Sequence, residues 1–191
     1  MSVFAKSAPR MDADAFMAWY DAQPEGQRFE LFNGHVYEMQ GERVAHGLVK
    51  LRVATSFLRQ IDGAKLRCQV FGDGMAARVD ADSVFEPDTL VRCGPRVPAD
   101  TKLILDPMIV VEVLSPTTQH VDVFRKFNGY FRNPHIVHYV IVNSVDRHAL
   151  HHFRTSDGRV ESRMYTSGKI DFDPPGLTLE LAEIFSDLVE E

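Results

Sequence analysis

Two unbroken apolar runs, "MIVVEVL" (residues 108–114) and "IVHYVIVN" (136–143), flank a helix-like segment, "HVDVFRKFNGYF" (120–131). This arrangement constrains the fold more than any other feature. A strand that is apolar on both faces must be covered on both faces, as in the parallel strands of a crossover unit. Within the segment, Phe124, Phe127 and Phe131 fall at i, i+3 and i+7, the spacing of a buried helical stripe. "SPTTQ" supplies the break before that helix, with a Thr as its cap, and Asn133-Pro134 ends it. One residue does not belong: Glu112 sits inside the first apolar run. An unpaired buried carboxylate costs several kcal/mol, so something positive is expected beside it.

The rest of the chain reads as a mixed fold. "MDADAFMAWYDAQ" has helical spacing, with Asp12 or Asp14 as cap. "RFELFNGHVYEM" is a hairpin pattern turning at Asn33-Gly34. "ERVAHGLVKLRVATSFLRQI" is a long helix, with Gly63 as its stop. Short strand-like pieces follow, "KLRCQVF", "MAARV" and "DTLVRC". Beyond the second apolar run, "HALHHFR", "RVESRMYT" and "KIDF" suggest antiparallel ribbons, and "LAEIFSDL" a closing helix. No linker divides the chain, so the expectation is one α/β (α+β) domain over residues 1–191, with a central mixed sheet flanked by helices.

Composition excludes some classes. No run of 18 apolar residues exists and the N-terminus lacks an apolar h-region, so neither a membrane span nor a signal peptide is expected. Two cysteines, Cys68 and Cys93, make neither a disulfide framework nor a zinc site; they are expected as reduced, partly buried thiols of a cytoplasmic protein. The net charge of −6 argues against a simple phosphate-coating protein. The segment from Arg43 to Arg67 nevertheless carries six basic residues against one acid. It reads either as a solvated helix face or as a local basic patch for nucleic acid.

In a strand, Glu112 shares a face with Val110 and Leu114. Lys126 lies on the following helix, with Asp122 as an i, i+4 partner. A second acid, Asp88, follows Pro87 at the entry to "DTLV". If the two strands pair, Asp88 and Glu112 lie side by side, and their repulsion would be relieved by a proton or by a divalent metal. Hard carboxylate oxygens suit Mg²⁺ or Mn²⁺. A lysine beside such an ion can orient a water and stabilise charge on a phosphoryl group.

The "PD" at Pro87-Asp88, followed after 23 residues by Glu112, resembles the PD-(D/E)xK nuclease superfamily, although Leu114 stands where a lysine is usual. The pattern "EVLSPTT…D…K…Y" resembles one branch more closely, the Uma2 family of restriction endonucleases (domain of unknown function 820). There the lysine has moved to the next helix, the position of Lys126; Asp122, Tyr130, Ser115 and Pro116 match too. "RFELFNGHVYEM" resembles the family's YELxxGxxxxM signature, and His46 its histidine opening the long helix. Val123 departs from the arginine common at that position. The resemblance runs from about Phe16 to Tyr139. It implies a restriction-endonuclease-like core acting on DNA, with Asp88, Glu112 and the Val113 carbonyl as metal ligands and Lys126 at the scissile phosphate or attacking water. It also implies Glu30 as a further acid near the metal; the alternative is a half-exposed hairpin carboxylate. His46 shares a stripe with Lys50, Val53 and Phe57 and so points inward, either to the site or as a packing residue.

Other features carry less. His151 and His152 are adjacent and would face opposite sides of a strand, which disfavours a zinc site. "FGDG" (71–74) is a turn rather than a phosphate loop, because no Lys-Ser/Thr follows. Ser115 lacks a nucleophile elbow. The same fold supports a non-catalytic nucleic-acid- or protein-binding module, and two carboxylates alone could serve a glycoside hydrolase. Cutting both strands needs two sites, which a homodimer would supply, though no stretch marks an interface.

Overall fold

The computed structural model describes residues 3–4, 9–39, 41, 43–114 and 121–188, with the backbone alone for 3, 4 and 121–123. In chain order its elements are β1 (Val3–Phe4), α1 (Ala13–Asp21), β2 (Phe29–Phe32), β3 (His35–Glu38), α2 (Val44–Gly63), β4 (Cys68–Phe71), β5 (Ala76–Arg78), β6 (Val84–Phe85), β7 (Thr89–Cys93), β8 (Leu103–Ile104), β9 (Ile109–Leu114), α3 (Val121–Tyr130), β10 (His138–Asn143), β11 (His148–Arg154), β12 (Val160–Tyr165), β13 (Lys169–Phe172), β14 (Leu177–Glu180) and α4 (Leu181–Ile184).

The two apolar runs form the centre of a sheet ordered β12-β11-β10-β9-β7-β4. β9 and β10 pair in parallel through the α3 crossover, with Glu112 opposite Ile141; the outer pairings are antiparallel. This is the mixed sheet the sequence predicts, and side chains alternate cleanly across β9. Val111 and Val113 enter a core built with Val49, Val53 and Phe57 of α2 and with the β13–β14 ribbon. Val110 enters the opposite core with Phe85, Tyr130 and Tyr139, against which Leu114 packs. Glu112 therefore projects toward α3, into that second, aromatic core. A second sheet, β1-β3-β2-β6-β5-β8, carries the N-terminal hairpin, with α1 packed on it through Phe16.

Local expectations hold where chemistry is strong. Asp12 caps α1 by accepting from Ala15 N–H at 2.8 Å. Asn33 and Gly34 turn the β2–β3 hairpin with φ of 49° and 76°, the pair of positive values that a tight hairpin turn requires. α3 packs against Phe85 so closely that a Cβ at Gly129 would lie 2.6 Å from Phe85 Cζ. That contact, with Tyr130 buried edge-on against the same ring, fixes α3 over β9.

α2 ends at Gly63 as expected, with the left-handed conformation after the helix falling on Lys65 (φ 53°). Two expectations are corrected. Phe124 is 73% exposed, so the buried face of α3 runs through Lys126, Phe127 and Tyr130 instead. Cys68 and Cys93 are not reduced thiols: antiparallel pairing of β4 with β7 places them opposite each other, and they form a disulfide. Register alone decides that, and 25 residues of separation conceal it. The Thr cap in "SPTTQ", Ser115 and Pro116 lie outside the described residues, as does the Asp122 side chain. None of the described helices is long and apolar enough to cross a membrane.

Candidate active site

Glu112 finds its positive partner. Lys126 Nζ donates to Glu112 Oε1 at 2.8 Å and lies 2.9 Å from Glu30 Oε1, so one ammonium bridges two carboxylates. All three side chains are buried: Glu30 is 1% exposed, Glu112 7% and Lys126 6%. Tyr130, one helical turn after Lys126, donates its hydroxyl to the same Glu112 oxygen. The amphipathic spacing of α3 thus aims Lys126 and Tyr130 together at the one acid in the strand. Glu30 comes from β2, where it is not a half-exposed hairpin acid. It accepts the Glu86 N–H at 3.0 Å and lies 3.5 Å from Arg125 Nη2. The Arg125 guanidinium in turn lies over the Tyr37 ring, 4.1 Å from its centroid.

Asp88 stands at the entrance to β7, which pairs antiparallel with β9 in the register Thr89↔Val111. One step further along that ladder brings Asp88 level with Glu112. Its carboxylate is held by three groups. Val113 N–H donates to Oδ2 at 2.6 Å, His46 Nε2 lies 3.2 Å from the same oxygen, and Lys50 Nζ lies 3.1 Å from Oδ1. His46 and Lys50 are one turn apart on α2, both buried, at the head of the stripe that continues through Val53 and Phe57. His46 points inward as its spacing predicts. At Val113 the atom in contact with Asp88 is the backbone nitrogen.

The two acids respond to burial in opposite ways. Burial alone would raise Asp88, but the His46 hydrogen bond, the Lys50 charge and the Val113 N–H outweigh it and hold the carboxyl at about 2. Glu112 is pushed up to about 8, first by burial and then by the charges of Asp88 and Glu30, which together overcome Lys126. Tyr130 is raised by burial and then by the charges of Glu112 and Glu30. Two neighbouring acids whose environments separate their proton affinities in this way are a common arrangement in acid–base sites.

Beyond the expected residues, the structure adds a second tier. Lys50 also contacts Asp73, at 2.9 Å from Oδ2, and Arg28 pairs with both Asp73 and Glu86. Burial raises Glu86 despite its Arg28 partner. Lys50 was recoverable from sequence as a lysine on an otherwise apolar helical stripe; Arg28, Asp73 and Glu86 come from separate loops and carry no such signal. Of the basic residues between Arg43 and Arg67, Lys50 turns inward, while Arg52 and Arg59 lie on the exposed side of α2 and pair with Asp187 and Glu183 near the C-terminal helix.

Among the described residues no group of three or more His, Cys, Asp or Glu side chains converges to hold a metal ion by itself. What is present is a set of hard oxygen donors. A cation that takes one or two carboxylates and fills its remaining positions with backbone carbonyl, water or substrate oxygens suits such a set.

A family model described as Uma2, "putative restriction endonuclease", matches residues 13–188. An uncharacterized protein of Synechocystis sp., slr1290, is 29% identical over 182 residues, covering 94% of each chain. The crystal structure of a putative nuclease belonging to domain of unknown function 820, from Anabaena variabilis, superposes with a TM-score of 0.75. That match covers 94% of this chain and 99% of the other at 13% identity, a likeness of fold.

Proposed function

We propose, given that this chain belongs to the Uma2 family, that it is a Mg²⁺- or Mn²⁺-dependent endonuclease hydrolysing phosphodiester bonds of DNA. The observation that carries the reading is the Lys126 ammonium buried between Glu30 and Glu112, with Asp88 level with Glu112 on the neighbouring strand, in a nuclease-like fold. A purely structural core has little use for such a cluster, since buried ion pairs are often no more stabilising than apolar residues of similar volume.

In this reading Asp88, Glu112 and the Val113 carbonyl would hold the cation. When bound, it would activate a water and polarise a phosphoryl oxygen. The chain's own residues do the rest. Lys126, oriented by Glu30, presents an ammonium where charge accumulates on the phosphoryl group, and Arg125 and Glu86 N–H keep Glu30 in place for that task. Glu112, with its raised proton affinity, can hold a proton near neutral pH and release it as a positive charge approaches. Tyr130 helps fix the rotamer of Glu112 through the same oxygen that Lys126 contacts. His46 and Lys50 hold Asp88 ionised and aimed along the strand. Cutting both strands calls for two such sites, and a homodimer would bring them together.

Supercoiled plasmid incubated with Mg²⁺ or Mn²⁺ is expected to be nicked and then linearised. EDTA or Asp88→Ala should abolish the cutting. Salt-dependent DNA retention with no cutting under any divalent cation would instead favour a non-catalytic binding module on the same fold.

A further inference from the structure

We infer that Arg28 and Lys50 form a phosphate-binding subsite beside Asp88, and that the Asp73 carboxylate occupies it as a displaceable internal anion. The inference rests on the nuclease reading for its biological ligand, a backbone phosphate flanking the scissile one, but its geometry stands apart from that reading. Asp73 belongs to the "FGDG" turn between β4 and β5. Its two oxygens meet the guanidinium of Arg28 as a fork: Nη1 donates to Oδ2 at 3.0 Å and Nη2 to Oδ1. Lys50 Nζ lies 2.9 Å from the same Oδ2. An anion held by a bidentate guanidinium and an ammonium is in the arrangement that recognises phosphate oxyanions.

The asymmetry of the contact identifies the replaceable member. The side chain of Lys50 is 8% exposed and that of Arg28 27%, whereas Asp73 is 38% exposed. Lys50 is built into the protein, Arg28 is half-buried, and Asp73 is the most exposed of the three. Each cation also keeps an acid of its own, Glu86 for Arg28 and Asp88 for Lys50. Withdrawing Asp73 therefore strands neither of them. Gly74, next in the turn, has φ of 91° and carries no side chain of its own; a Cβ there would meet only Glu86 Oε1, at 3.7 Å. A phosphate in place of Asp73 would be separated from Asp88 only by the Lys50 ammonium. That position belongs to the chain bearing the scissile bond.

The test is a calorimetric titration in EDTA, with inorganic phosphate and with a short DNA duplex as separate probes. The proteins are wild type, Asp73→Asn, Asp73→Asn/Arg28→Gln, and Asp157→Asn as a control that removes an equal charge from an exposed turn. If the closed latch leaves roughly a tenth of molecules competent, Asp73→Asn should bind about tenfold tighter than wild type. Arg28→Gln in the same background should cancel the gain, and Asp157→Asn should show none. A gain for both probes, or for DNA alone, assigns the subsite to backbone phosphate; a gain for phosphate alone assigns it to the free anion. Equal affinity of wild type and Asp73→Asn for both probes, or a gain equalled by Asp157→Asn, overturns the inference. Thermal melts of all four proteins establish that each is folded. Because no divalent cation is present, failure here leaves the cleavage reading standing, and failure of the plasmid assay leaves this one standing.

Discussion

Lys126→Met is expected to cost more than any other single substitution in the described structure. It removes the cation shared by two buried carboxylates while leaving both in place. Breaking a buried ion pair from one side costs about 3–5 kcal/mol, because the remaining charge keeps its desolvation penalty and loses its partner. Glu30 retains Arg125 and Glu112 retains Tyr130, so the protein should remain folded but melt early. Plasmid nicking should fall by about 10²–10³-fold, the usual effect of deleting one donor that stabilises transition-state charge. The double variant Lys126→Met/Glu112→Gln separates the two effects. Above about pH 8, where Glu112 is ionised, neutralising it removes the stranded charge, so much of the stability should return there while activity stays lost. Urea unfolding and initial nicking rates measure both. A Lys126→Met protein that nicks at the wild-type rate would take Lys126 out of the chemistry, whatever its stability.

The second large effect is a pH dependence with an unusual sign. The folded-state pKa of Glu112, about 8, lies above its ordinary value of 4.5, so the folded chain binds a proton that the unfolded chain releases. The resulting stability is complete below pH 4.5 and is lost as pH rises through about 8. Other groups act in other windows. Asp88, lowered to about 2, contributes stability that is lost only in acid. His138, His151 and His152 are lowered chiefly by burial, to about 4, 3 and 4 from 6.5, so their contribution is lost as pH falls below 6.5. Above pH 6.5 these groups are quiet and Glu112 stands out. In EDTA the wild type should lose stability there by up to ~1.4 kcal/mol per pH unit, and Glu112→Gln should flatten the slope. Denaturant unfolding from about pH 6.5 to about pH 9 reads it directly. A wild-type slope unchanged by Glu112→Gln would mean that Glu112 is ionised throughout.

Much of this was legible in the sequence, and the reasons are physical. The β9–α3–β10 crossover shows because strands buried on both faces must be continuously apolar, and Glu112 shows because it breaks that rule. His46 shows through helical spacing, which reports the direction of a side chain without knowledge of its target; Lys126 shows through the resemblance to the family's displaced lysine. What spacing cannot report is register between distant segments. The Cys68–Cys93 bond depends on how β4 meets β7, and the bridging of Lys126 to Glu30 depends on a hairpin nearly 100 residues upstream. The same limit hid the second tier, since Arg28, Asp73 and Glu86 come from three loops with no shared period. Phe124 failed differently. Three phenylalanines made the stripe look apolar, but the inward face of α3 is set by the polar pair Lys126 and Tyr130, which have a buried acid to meet.

The most direct test of the central claim, that the buried acids form a cation site, is calorimetric titration of Mn²⁺ into the wild type and Asp88→Ala. No substrate need be known for it. The account predicts saturable binding by the wild type that Asp88→Ala loses while remaining folded by thermal melt. Absence of saturable binding by the wild type at millimolar Mn²⁺, or equal binding by both proteins, would contradict it.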